Sequence, residues 1–149
     1  MPDSLLVLGV ALVLFFLSMM LSEMLIESTG DRVVLISVIV SFGGYFLYWI
    51  VLIATGFGHR VVPTISCIMA SGSILTIAMV VVFVILDPLL GGNTAALIAW
   101  LVLIWSIPVK GHVIARAIDK HWYTGIAIAL TIYFIQRLTY DSLTTVPAG

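Results

Sequence analysis

Four stretches of this chain run for about a bilayer's width with almost no charge, and nothing else in the sequence constrains the fold so strongly. Segments 33–55 and 62–86 hold no charged residue. Segment 5–26 holds none before Glu23, and 122–140 carries only Arg137, beside Gln136, near its end. A helix needs about 20 mostly apolar residues to cross the roughly 30 Å hydrocarbon core. A fifth segment, 94–118, takes more argument, because Pro108 interrupts it and its apolar part is short. Asn93 and Thr94, following Gly91 and Gly92, supply helix-start residues, and membrane helices tolerate proline where neighbours satisfy the freed carbonyl. The expected fold is all-α: a polytopic transmembrane helical bundle of five spans, 5–26, 33–55, 62–86, 94–118 and 122–140. The fourth span is Pro-kinked, and the chain forms one transmembrane domain.

Composition narrows the function classes. Hydrophobic residues make up 62% and charged residues 9%, against roughly 45–50% and 25% in soluble domains. That excludes a soluble enzyme, a disordered tail and a nucleic-acid binder with a basic face. The lone Cys67 excludes an intrachain disulfide framework and a multi-cysteine zinc site, and reads as an inert small hydrophobe. The first segment carries Asp3 in place of a basic n-region and no cleavage signal follows it, so it is expected to remain as a span. The loops, 27–32, 56–61, 87–93 and 119–121, are too short to hold a domain, and the polar tail 141–149 is expected to fray.

Orientation follows from the basic residues of short loops. Arg60, Lys110, Arg116 and Lys120 fall on the N-terminal side and Arg32 and Arg137 on the other. The bias places the N-terminus in the cytoplasm and the C-terminus outside.

Lipid is as apolar as leucine, so small residues and interhelical hydrogen bonds must hold such helices together. Ser37, Ser41 and Gly44 share one face of the second span, and Ser66, Ala70 and Ser73 one face of the third. Gly125 and Ala129 make a small-xxx-small pair in the fifth. Bundle packing is the expected role of all three, with a homodimer face as the alternative. Trp122, Tyr123 and Tyr140 sit where interfacial rings belong. Trp49, Trp100, Trp105 and the run from Phe42 to Trp49 lie deeper, suited to core packing or to an aromatic lipid or quinone pocket.

Ionisable groups at membrane depth are costly and often functional. Glu23 and Glu27, four residues apart, read as an acidic cap near Arg32 or as a cation or proton site. Further along, Trp105, His112 and Asp119 repeat every seven residues. His112, Arg116 and Asp119 are expected along one cytoplasm-facing stripe, with Asp119 holding His112. His59, His112 and His121 share a side, which makes them candidate metal ligands; anchoring by snorkelling basic residues is the preferred reading. No nucleophile elbow, zinc-protease motif or phosphate-cradling glycine loop is present, so no enzyme activity and no cofactor are expected.

The stretch Ile104-Trp105-Ser106-Ile107-Pro108-Val109-Lys110-Gly111-His112-Val113-Ile114-Ala115-Arg116-Ala117, followed by a short turn and a last span rich in Gly125 and alanine, resembles the end of bacterial Yip-family membrane proteins. That family shares a five-span core with eukaryotic Ypt/Rab-interacting proteins. The resemblance implies a scaffold or adaptor in a bacterial cytoplasmic membrane, with no catalytic residues. The long cytosolic N-terminal region of the eukaryotic members has no counterpart here, so no GTPase partner is implied. The sequence thus leads to a non-catalytic membrane scaffold or accessory subunit, partnered by lipid and by other membrane subunits or itself and not by nucleic acid. Its grounds are that the sequence shows no loop domain, no charge near the bilayer centre and no catalytic constellation. The alternatives are a small ion or proton carrier or channel, and a lipid- or metal-binding membrane protein.

Overall fold

The computed structural model describes residues 2–25 and 31–145, and nearly all of them are helical, with no strand among them. Five long helices follow one another: α1 (Pro2–Leu25), α2 (Asp31–Ala54), α3 (Val61–Leu90), α4 (Gly92–Ala117) and α5 (Trp122–Thr145). One 3₁₀ turn, Gly58–Arg60, joins α2 to α3. By length and composition α1 to α4 can each cross a membrane, over Leu5–Ser22, Val33–Ala54, Gly58–Leu90 and Gly92–Ala117. The more polar α5 falls short of the same measure among the described residues, because Gln136 and Arg137 lie inside it.

Two boundaries differ from expectation. Asp87 and Pro88 were expected in a loop, yet α3 runs through both, and only Gly91 separates it from α4. Gly91 has φ +79°, a conformation open to glycine at little steric cost. Its N–H closes α3 on the Asp87 carbonyl at 3.0 Å, and its own carbonyl accepts the Thr94 and Ala95 N–H groups that open α4. As expected, α4 continues through Pro108 to Ala117. The expected frayed tail is helical as far as Thr145, supported by the Arg137–Asp141 pair one turn apart at 3.3 Å.

The packing is a closed ring with one helix outside it. α3 lies on α4, α4 on α5, α5 on α2, and α2 returns sparsely to α3; α1 lies along α3. The α4–α5 crossing is the tightest. A Cβ on Gly125 would overlap the Gly111 carbonyl and stand 2.6 Å from the Ala115 methyl, and one on Gly111 would stand 2.8 Å from Ile126 Cα. Close backbone approach through small residues is how helices associate without a hydrophobic driving force. At the end of the ring nearest the N-terminus, Leu52, Ile68, Ile114 and Ile132 pack into a dry core with Tyr48, Ala117 and Ile118.

Where α4 stops is set by its own sequence and by Arg60. The Lys120 N–H bonds the Ala115 carbonyl at 2.9 Å and Asp119 takes φ +51°, the pattern of a Schellman cap with aspartate in the left-handed position. Arg60 Nη1 donates to the Ala117 carbonyl at 3.1 Å and to Asp119 Oδ2 at 2.9 Å. Asp119 is therefore bound to Arg60 across the bundle end, in a turn beyond the helix. The expected stripe of His112, Arg116 and Asp119, with Asp119 holding His112, does not form.

Candidate polar site around Lys110

Lys110 was expected within the fourth span, 94–118, and was counted with the basic residues of its cytoplasmic side. The structure turns it into the bundle, seven residues before Ala117, or roughly 10 Å at 1.5 Å per residue. Its Cε lies 3.7 Å from where a Cβ of Gly72 would stand, well inside α3. An ionisable group thus stands inside the bundle, away from the helix ends where the charges were expected.

Two cavities meet at this side chain. The smaller, about 60 Å³, lies within the helix ring against Ser41, Gly44, Tyr45, Tyr48, Ile68 and Gln136. Gly44 is needed there, since any Cβ would collide with the Gln136 carboxamide. Gln136 in turn donates from Nε2 to the Val40 carbonyl at 3.1 Å, which ties α5 to α2. The larger cavity, about 200 Å³, lies among α1, α2, α3 and α4.

The larger cavity is a shaft whose walls are hydroxyl groups at helical spacing. Ser18 and Ser22 come from α1, Ser37, Ser41 and Tyr45 from α2, and Ser73 and Thr76 from α3. Phe15 packs edge-on to Tyr45 at 5.9 Å and against Met69, so Phe15, Tyr45, Met69 and Lys110 mark one level near mid-bundle. α1 and α3 run one way and α2 the other. Ser18, Ser41 and Ser73 therefore form a level above it, and Ser22, Ser37 and Thr76 a further one, toward the end opposite the N-terminus. The dry core closes the other direction.

The hydroxyls are held in place by their own helices. Ser18 donates to the Phe15 carbonyl at 2.8 Å, Ser22 to Met19 at 2.8 Å, Ser73 to Met69 at 2.9 Å and Thr76 to Gly72 at 3.0 Å. This back-bonding is the ordinary way a membrane helix accommodates such residues. In Ser18, Ser22, Ser73 and Thr76 it satisfies the hydroxyl proton and leaves oxygen lone pairs on the shaft. The floor is different: the Lys110 ammonium and the Tyr45 phenol have protons to donate, with Tyr48 and Gln136 beside them in the smaller cavity. The ion pairs among the described residues are Arg60–Asp119 and Arg137–Asp141, so no described carboxylate neutralises Lys110. The foot of the shaft thus offers hydrogen-bond donors and one cation to a group that enters it.

The remaining expected residues are placed as follows. Ser37, Ser41 and Ser73 line the shaft, and Gly44 seats Gln136. Ser66 is fully buried and donates to the Val62 carbonyl, while Ala70 packs toward Ala11 and Phe15 of α1. Gly125 and Ala129 are buried in α5. Trp105, 66% exposed, faces outward, as do Trp100, Phe46 and Trp49. The aromatic run of α2 thus splits, with Tyr45 and Tyr48 turned in and Phe42, Phe46 and Trp49 turned out. His112, Arg116, His59 and His121 are exposed or at the surface. His59 lies by Phe57, and His121 stacks on Tyr123. Among the described residues no three of histidine, cysteine, aspartate and glutamate gather where a metal could sit, so the three histidines do not converge. Glu27 and the side chain of Glu23 lie outside the described residues.

Helical geometry offered a signal for Lys110. At 3.6 residues per turn it sits about 160° around α4 from His112, so an outward His112 implies an inward lysine. Gln136 and Tyr45 face the same interior, and no motif marks them. No family model, curated protein or solved structure matches this chain.

Proposed function

We infer that this protein is a small polytopic membrane protein that binds an anion at Lys110, as a carrier caught open toward the face opposite its N-terminus. The observation that carries this reading is the Lys110 ammonium inside the bundle, beside Tyr45 and Gln136, at the foot of a hydroxyl-lined shaft and with no carboxylate partner among the described residues. An ionisable side chain held there works against insertion and stability by about 2.5–3.5 kcal/mol, and a purely structural bundle has no use for it. The donors at the floor select negative charge over cations and protons. Five spans, with α5 crossing beside α4, keep the α4–α5 seam and the α2–α5 contact within the hydrocarbon. Without Lys110 the basic bias is three residues, Arg60, Arg116 and Lys120, against two, Arg32 and Arg137; it still favours a cytoplasmic N-terminus.

The scaffold reading rested on the absence of a loop domain, of a central charge and of a catalytic constellation, beside the Yip-family likeness over 104–117. A lysine lining two cavities inside the bundle favours the carrier. Proteoliposomes loaded with chloride, phosphate or acetate test it, with potassium as the cation control. Anion flux is expected, reduced about tenfold or more in Lys110→Gln, the size of one lost charge-assisted hydrogen bond. Flux that is unchanged in that variant, or carried by potassium, would remove the reading.

A further inference from the structure

The manner in which the shaft meets the bilayer identifies the class of anion, and this step rests on the anion-binding reading above. Among the described residues α1 packs along α3, whereas α2 packs along α5 and sparsely on α3. α1 and α2 scarcely pack on each other; they touch through the aromatic knot of Phe15, Phe42 and Tyr45. Above that knot, Ser18 and Ser22 face the cavity from one side and Ser37 and Ser41 from the other, with α3 as the back wall. No described helix fills the side between α1 and α2, so the polar shaft is a slot open along the bundle's flank. The outward surfaces of the two helices are apolar, with Phe16 and Met20 on α1 and Leu35 and Ile39 on α2 exposed.

An occupant of such a slot must suit both environments. The cavity, about 200 Å³, is smaller than the roughly 300–1,000 Å³ of sites that enclose a whole drug-sized ligand. It has room for a headgroup and leaves an attached chain in the lipid outside. We propose that the ligand is an amphiphile with a phosphate head, which slides in from the bilayer between α1 and α2. Its phosphate oxygens accept from Lys110 and Tyr45 while its acyl chains stay in the membrane. Phosphate is favoured because it is the anionic group that bilayer amphiphiles commonly carry, and its several oxygens match donors arriving from separate helices.

The test compares phosphatidylglycerol with its deacylated headgroup, glycerophosphoglycerol, on the full chain in phosphatidylcholine nanodiscs, with bound ligand read by native mass spectrometry. A second arm uses Ser22→Cys with Ser37→Cys in a Cys67→Ser background, bridged by a bifunctional thiol reagent to shut the slot. The expected result is that phosphatidylglycerol binds about tenfold or more tighter than glycerophosphoglycerol, loses that much in Lys110→Gln, regains it in Lys110→Arg, and fails to bind the bridged protein. Equal binding of the two ligands, untouched by the bridge but lost in Lys110→Gln, would overturn the lipid proposal and leave the anion site standing. Binding that is the same in Lys110→Gln and wild type would overturn both.

Discussion

The two sides of this bundle are built on opposite terms. On one side α4 and α5 cross through Gly111, Ala115, Gly125 and Ala129, so close that a single added methyl would collide with backbone. On the other, α1 and α2 stand apart over a cavity of about 200 Å³ walled with serine. Both sides use small residues, and in sequence the stripes look alike. Where small residues of two helices face one another, backbones close and the seam is dry. Where serines face a lysine, they hold space open. The tight seam fixes α4, and a fixed α4 keeps Lys110 aimed into the loose half. The difference is a division of labour: one half supplies rigidity and the other the site.

Substitutions should separate the halves, and thermal unfolding in detergent or nanodiscs reads each. The largest loss is expected from Gly125→Leu, which drives a side chain into the Gly111 carbonyl and Ala115; about 3 kcal/mol of stability should go, the upper end for overpacking. If Gly125→Leu unfolds no earlier than wild type, the seam is not the rigid half. Lys110→Met should act with the opposite sign. Removing a charge from the bundle interior that has no partner among the described residues is expected to stabilise the fold by about 2 kcal/mol while anion binding falls, the trade-off expected where a site is held against stability. Destabilisation by Lys110→Met would mean the lysine serves packing.

Smaller effects are expected at the bundle end and the cavity wall. Arg60→Ala leaves the α4 carbonyls of Ala117 and Arg116 to water and should cost about 1 kcal/mol, with the site unaffected. Gly72→Ala adds a methyl at an ordinary 3.7 Å from Lys110 Cε, so stability should stay within about 0.5 kcal/mol. A large loss there would show that the loose half is as closely packed as the seam.

Much of the scaffold was legible in the sequence, because hydropathy and charge act over whole helices. The uninterrupted runs and the short connections located all five helices, and the Gly125–Ala129 spacing marked a close-packing face. The site was obscured by one side chain's direction. The fourth span was expected over 94–118, through a kink at Pro108, and Lys110 was counted with Arg116 and Lys120 among the basic residues of the cytoplasmic side. Neighbouring groups in a bundle satisfy the carbonyl that proline frees, and the helix carries on as expected. Charge counting does not show that Lys110 turns inward, toward α2 and α3. Asp119 went the other way, since a Schellman turn and Arg60 hold it outside the helix that would have set it near His112. The shaft itself needed three helices in register, and no single-helix pattern distinguishes a serine that packs from one that lines a cavity.

The central claim is that Lys110 is the cation of an anion site, and a ligand-induced shift in unfolding temperature tests it most directly. Wild type and Lys110→Met would each be melted in phosphatidylcholine nanodiscs with and without phosphatidylglycerol, and in detergent with and without phosphate. A rise in melting temperature with at least one of these anions in wild type, absent in Lys110→Met, is the predicted result. An equal rise in both proteins, or none in wild type with any of these anions, would contradict it.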